Sequence, residues 1–258
     1  MSEGQVTFEQ AGAVGTVTFD RPSARNAMTP DMYAALDAIC EAIALDASLR
    51  CVVFRGAGGS SFVAGSDIAQ FLAFENGEDG IAYERKMSAH LARVAAIPCP
   101  TIAVIEGFAV GGGLNIAACC DLRIARTGAL FGVPIAKGLG NCLSIDSYAR
   151  LLLGFGEGRA RRMLLLGELL GTDEAVASGF LMKAVPAEAL NGEVAALVAQ
   201  VLANAPLSMK ASKAALGALT ANQTAELEEM IRLVYGSDDF RAGVRAFLAK
   251  TQPTWTGR

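Results

Sequence analysis

Two glycine-rich stretches carry the residue types and spacing from which an anion-holding site can be built. The first is Ser61-Phe62-Val63-Ala64-Gly65-Ser66-Asp67-Ile68; the second is Glu106-Gly107-Phe108-Ala109-Val110-Gly111-Gly112-Gly113-Leu114-Asn115. Each follows an apolar run of strand character and opens a helical pattern. Glycine lets a ligand approach the backbone closely. The first-turn N–H groups of a helix have no intrahelical acceptor, and the helix dipole favours negative charge beside them. Two such N–H groups converging from separate loops make an oxyanion hole for an enolate or a tetrahedral anion. The same glycines equally serve tight strand-to-helix packing, and residue types alone leave both readings open. Neither stretch matches the dinucleotide or P-loop pattern, so phosphate cradling has little support.

Other chemistry is sparse. Six cysteines (Cys40, Cys51, Cys99, Cys119, Cys120, Cys142) lie mostly in apolar surroundings without a CxxC pair. They read as reduced core thiols, with no disulfide or metal framework. His90 is the only histidine, and no G-x-S-x-G elbow accompanies it, so it reads as a structural residue.

The elements that must position these groups follow from periodicity. Strand patterns cover 14–19, 51–55, 101–105, 121–125 and a short 130–133. A helix is predicted over 31–45, with Thr29 as N-cap and Pro30 at its first position, and another over 83–96. Alternating strands and helices predict an α/β arrangement with mainly parallel pairing. Beyond Ser144 helical patterns dominate, over 148–153, 157–166, 172–178, 188–204, 206–219, 224–235 and 238–250. The chain thus reads as an α/β core with a helical C-terminal part.

Composition bounds the partners. The 258 residues are 52% hydrophobic and 19% charged, with net charge −4 and mean hydropathy +0.37. Disorder is excluded, since it needs low hydrophobicity and high net charge. The apolar surplus predicts subunit association. The acidic balance argues against nucleic acid. Between Val94 and Cys120 only Glu106 is charged, but the uncharged run after it has 14 residues, short of the ~18 of a membrane span. The N-terminal segment has no apolar core, so a cytoplasmic location is expected.

In order and spacing, several motifs resemble the crotonase (enoyl-CoA hydratase/isomerase) superfamily. They are Asp20-Arg21-Pro22 with Asn26-Ala27, the two glycine-rich stretches, Cys120-Asp121, Phe131-Gly132-Val133-Pro134, Ala205-Pro206-Leu207, and Asp238-Asp239 with Gly243 and Ala246-Phe247. The resemblance spans nearly the whole chain. It implies a superhelical core of ββα units with the acyl-CoA site, 1–198, a C-terminal helical trimerisation region, 199–258, and a homotrimer or dimer of trimers. The implied ligand is an acyl-CoA thioester, coenzyme A entering with the substrate and no separate cofactor. The oxyanion-hole amides carry over to Ser66 and Gly112. Ala64, Ser66, Asp67 and Ile68 match the segment along the adenine and pantetheine path. Arg25 matches a basic position near the CoA phosphates, and Phe247 and Lys250 match positions reaching a neighbouring subunit's CoA.

The sequence departs from the family where the hydratases carry two glutamates: Asn115 and Ile135 stand there. An amide accepts no proton at neutral pH and isoleucine has none to exchange, so the usual acid–base pair is missing. Cys142 and Asp146 are the remaining side-chain candidates, beside structural readings as a packing thiol and a helix-start carboxylate. The leading expectation is an acyl-CoA enzyme of the hydratase/isomerase type that holds a thioester enolate. One alternative is decarboxylation of a malonyl-type thioester, which makes the enolate without a base, with Asn115 orienting the carboxylate. The other is an acyl-CoA-binding protein without catalysis.

Overall fold

A computed structural model of the chain describes residues 4–221, 232 and 234–253. Strands β1 (Gln5–Ala11) and β2 (Val14–Asp20) form an antiparallel hairpin; β1 carries no strict alternation and is not anticipated above. Helix α1 (Pro30–Leu45) starts where expected, with the Thr29 hydroxyl accepting from the Met32 N–H. Strands β3 (Cys51–Gly56), β5 (Thr101–Ile105), β7 (Leu122–Arg126) and β10 (Lys183–Val185) continue the sheet in the order β1-β2-β3-β5-β7-β10, parallel from β2 onward.

A second sheet is built from short strands, β4 (Ser61–Val63), β6 (Phe108–Val110), β8 (Leu130–Gly132) and β9 (Leu170–Gly171), in the order β4-β6-β8-β9. Each long strand hands the chain to a short one in the other sheet: β3 to β4, β5 to β6, β7 to β8. The glycine-rich stretches therefore begin as strands. The first leads into only a short 3-10 helix, Ile68–Ala73, capped by the Asp67 side chain. The second leads into α3 (Gly112–Cys119).

The central parallel strands β3 and β5 are buried on both faces, as parallel strands are, and the strand period of two divides their side chains. Val52 and Phe54 of β3, with Ala103 and Ile105 of β5, join the main core with α1 and α3. Cys51, Val53, Ile102 and Val104 point the other way, onto Leu190, Leu197 and Val201 of α7 (Ala187–Ala203). Position 198, the boundary read from sequence, falls inside this helix.

Helix α2 (Gly77–Ala95) begins six residues before the predicted start, at a capping box of Asn76 and Asp79. After α4 (Ile135–Gly138), helix α5 (Ile145–Leu165) unites the two patterns 148–153 and 157–166 across a break at Gly156, where φ is 75° and ψ 161°. Then come α6 (Thr172–Ala177), α8 (Pro206–Ala221) and α9 (Asp238–Ala249). The expected helix 224–235 lies mostly outside the described residues. Among the described residues no single helix is long and apolar enough to cross a membrane.

Candidate active site

The two glycine-rich stretches meet at one wall of a cavity of about 930 Å³. A Met28–Ser66 bridge holds the first: the Met28 N–H donates to the Gly65 carbonyl and the Asp67 N–H to the Met28 carbonyl. That pattern leaves the Ser66 N–H between them unused. Gly112 opens α3, so its N–H has no intrahelical acceptor. Neither N–H meets an acceptor among the described residues. A Cβ placed on Gly112 would stand 3.8 Å from the Ser66 nitrogen and 2.8 Å from the Tyr33 hydroxyl. The two amides are thus close neighbours, and only glycine leaves the space between them open. Gly111 before it has φ 55°, a conformation that favours glycine.

The Ser66 hydroxyl is fixed from two sides. Tyr83 donates to it at 2.8 Å and the Tyr33 hydroxyl lies 3.0 Å away. Burial lifts the Tyr33 phenol to about 12, so it stays neutral. His90 supports this arrangement from behind. Its ring stacks on Tyr33 at 4.9 Å, and its Nδ1 lies 2.8 Å from Asp37. The histidine is buried and away from the cavity wall, in keeping with a structural role.

Most residues expected to touch the ligand line this cavity: Arg25, Ala64, Asp67, Ile68 and Phe247. Arg25 places its guanidinium 5.0 Å over the Phe108 ring, a cation–π contact. Asp67 is paired with Arg21 at 2.8 Å. Phe247 lines the cavity of its own chain, whereas Lys250, at the α9 C-cap, is not part of the wall.

Asn115 and Ile135 also reach the wall. Asn115 is 2% exposed, and its Nδ2 donates to the Gly111 carbonyl at 3.3 Å. A carbonyl accepts only from the nitrogen side of the amide, so the orientation is set and Oδ1 is left without a partner. Cys142 and Asp146 are not brought into the wall. Cys142 is buried in a satellite core with Phe71, Tyr235 and Phe240, and burial pushes its thiol up to about 12. Asp146 sits in the first turn of α5, where a carboxylate stabilises the helix.

Of the wall residues that sequence reasoning missed, one carries a buried carboxylate. Glu84 on α2 is 3% exposed. The Tyr235 hydroxyl donates to its Oε1 at 2.6 Å and the Ser144 N–H to its Oε2 at 2.8 Å. Burial outweighs both hydrogen bonds and raises its carboxyl to about 7. In the sequence it sits in a Tyr83-Glu84-Arg85-Lys86 run that reads as a solvated helix face. Its helical spacing from the apolar Met87 and Leu91, which put all three on one face, was the available signal. Among the described residues no cluster of three His, Cys, Asp or Glu side chains could hold a metal ion.

Comparison with known proteins defines the class. Residues 9–258 match the family model described as enoyl-CoA hydratase/isomerase. A short-chain-enoyl-CoA hydratase of Clostridium acetobutylicum is 33% identical over 216 residues, covering 84% of this chain and 82% of the relative. A crystal structure of an enoyl-CoA hydratase/carnithine racemase from Magnetospirillum magneticum superposes with TM-score 0.80 at 35% identity, covering 98% of this chain and 96% of the other. Methylmalonyl-CoA decarboxylase in complex with 2-nitronate-propionyl-CoA shares the fold, with TM-score 0.89 at 24% identity and coverage of 98% and 99%. The fold is the crotonase fold. The chain belongs to the enoyl-CoA hydratase/isomerase family, a family of acyl-CoA enzymes.

Proposed function

We propose that the protein processes an acyl-CoA thioester by stabilising its enolate between the Ser66 and Gly112 N–H groups. The observation that carries this reading is the pair of unengaged amides facing one another at the cavity wall. A thioester oxygen gains negative charge as the enolate forms, and fixed donors interact most strongly with that state. Coenzyme A enters as part of the substrate, with Arg25 and Arg21 at the cavity wall as the cations for its phosphates.

Of the two alternatives, decarboxylation of a malonyl-type thioester asks Asn115 to face a carboxylate. Its Nδ2 spends one N–H on the Gly111 carbonyl and keeps a second beside the unpartnered Oδ1, so Asn115 suits that role no less than another. Hydratase/isomerase-type proton chemistry is preferred because the family model and the relatives are of that type. Binding without catalysis keeps the same two amides and differs only in turnover.

The assembly we infer is a homotrimer or dimer of trimers, in which the exposed Leu165, Leu207 and Leu216 supply apolar surface for a partner copy. Sedimentation at micromolar concentration reads this directly, and a monomer would refute it.

Incubation with a mixed CoA-thioester panel, followed by mass spectrometry, identifies what is consumed. Gly112→Pro removes one donor amide at a helix position that tolerates proline. Full turnover by a folded Gly112→Pro protein would sink the enolate-hole reading. Consumption of methylmalonyl-CoA in preference to crotonyl-CoA would reverse the ranking of the alternatives.

A further inference from the structure

The two glutamates of related hydratases are absent, yet an enolate formed from a neutral thioester needs a group that takes and returns a proton. Three carboxylates border the cavity: Asp67, Glu84 and Glu168. Asp67 is held by Arg21 at 2.8 Å and Glu168 by Arg162 at 2.7 Å. Neither is available as a base in the interior. Among the described residues Glu84 has no cationic partner, and its helix turns Glu84, Met87 and Leu91 onto the cavity together. The residue before it, Tyr83, donates its hydroxyl to Ser66, so this stretch of α2 adjoins the paired amides.

We propose that Glu84 is the acid–base residue of this site, replacing from helix α2 the glutamates missing at positions 115 and 135. The proposal rests on the thioester reading above. The carboxylate takes a proton from the carbon next to the thioester as that C–H bond breaks. The electron pair passes into the enolate, whose oxygen is held by the Ser66 and Gly112 N–H groups. The carboxyl hydrogen swaps with solvent, and Glu84 then returns a solvent-derived proton to the same carbon as the enolate collapses, so no oxidant, reductant or second base is required.

The surroundings suit a proton carrier. The titratable groups that feel Glu84 are Tyr33, Tyr83, Tyr148, Tyr235 and Cys142, and burial pushes all of them upward. They stay neutral near pH 7, while Glu84, raised to about 7, changes charge there. Tyr235 orients the carboxyl. It packs so tightly on α2 that a Cβ on Gly80, one turn before Glu84, would meet its ring at 2.1 Å. Asn141 in turn donates from Nδ2 to the Tyr235 hydroxyl at 3.3 Å, leaving the tyrosine proton for Glu84.

The test is exchange of the α-hydrogen of butyryl-CoA in deuterated water, followed by mass spectrometry, with binding of the same thioester measured in parallel. The full-length protein is expected to bind and exchange, with a rate that rises through about pH 7. Glu84→Gln, nearly isosteric, is expected to bind normally and lose about a hundredfold in exchange rate. Tyr235→Phe removes a hydrogen bond that lowers the Glu84 carboxyl, so its rate profile is expected to move to higher pH. Exchange by Glu84→Gln at the parent rate overturns the assignment, as does binding without exchange in the parent, or an unmoved profile in Tyr235→Phe should Glu84→Gln not fold. Absence of thioester binding in the parent overturns the thioester reading and the assignment with it.

Discussion

Tyr235 reaches 151 positions back along the chain to donate its hydroxyl to Glu84 at 2.6 Å. This bond ties the segment entering α9 to the middle of α2, and both flank the same cavity. A carboxylate buried in this way is costly to keep ionised, and its cost is measurable.

The first expectation concerns stability against pH. Burial raises Glu84 from an ordinary 4.5 to about 7. A raised carboxyl binds its proton more tightly in the folded state, so its stabilising effect is complete below about pH 4.5 and is lost as pH rises through about 7. The loss is on the order of 3 kcal/mol, at about 1.4 kcal/mol per tenfold change in proton affinity. Urea unfolding at pH 5 and pH 8 should show the difference between parent and Glu84→Gln moving in the variant's favour at the higher pH. An unchanged difference would mean that Glu84 is not raised.

Gly112→Ala should nearly abolish turnover while Gly112 keeps its N–H. The added Cβ would lie 2.8 Å from the Tyr33 hydroxyl and 3.4 Å from the Ser66 hydroxyl, in the space between the amides. A drop in kcat of about a hundredfold or more is expected, comparable to loss of one oxyanion donor. Turnover assays on the identified thioester check this.

Ser66→Ala should separate the side chain of Ser66 from its backbone. The N–H stays, so kcat should fall by less than about tenfold, far short of the loss of an oxyanion donor. Two buried tyrosine hydroxyls lose their shared partner, at about 1–3 kcal/mol for an unsatisfied group. Chemical denaturation and kinetics on one preparation distinguish the two effects.

Cys142→Ala and Asp146→Asn should leave turnover within about threefold of the parent, whereas loss of a true acid–base group costs about a hundredfold or more. Neither residue borders the cavity. The cysteine packs against Phe71 and Phe240, so its variant should lose stability instead.

Arg25→Ala should weaken binding of the intact CoA thioester, and more so at low salt than at high, because the contact is electrostatic. The same substitution should hardly alter turnover of a thioester truncated to pantetheine, which lacks the phosphates. Parallel titrations with the two ligands decide it.

The strands β3 and β5, the start of α1 at Thr29 and Pro30, and both glycine-rich stretches were legible in the sequence. Local rules set them: apolar runs, a capping hydroxyl, and glycine where backbone must stay bare. The ordered motifs carried the family as well. The short strands β4, β6 and β9 were not legible, since segments of two or three residues have too little pattern to read and exist through their partners in the second sheet.

Among candidate site residues, Ser66 and Gly112 were legible because the feature that marks them, bare backbone at a glycine-rich turn, is local. Asp146 is the nearest carboxylate in sequence and Cys142 falls where the family resemblance places an acid, but the fold keeps both out of the cavity wall. Glu84 was invisible for the opposite reason. A glutamate beside Arg85 and Lys86 looks solvated until Tyr235 and Ser144, distant in sequence, cover it. Sequence alone determined where the backbone is bare of side chains; only the tertiary packing decided which carboxyl is buried at the same cavity, because desolvation depends on neighbours that the chain order does not reveal.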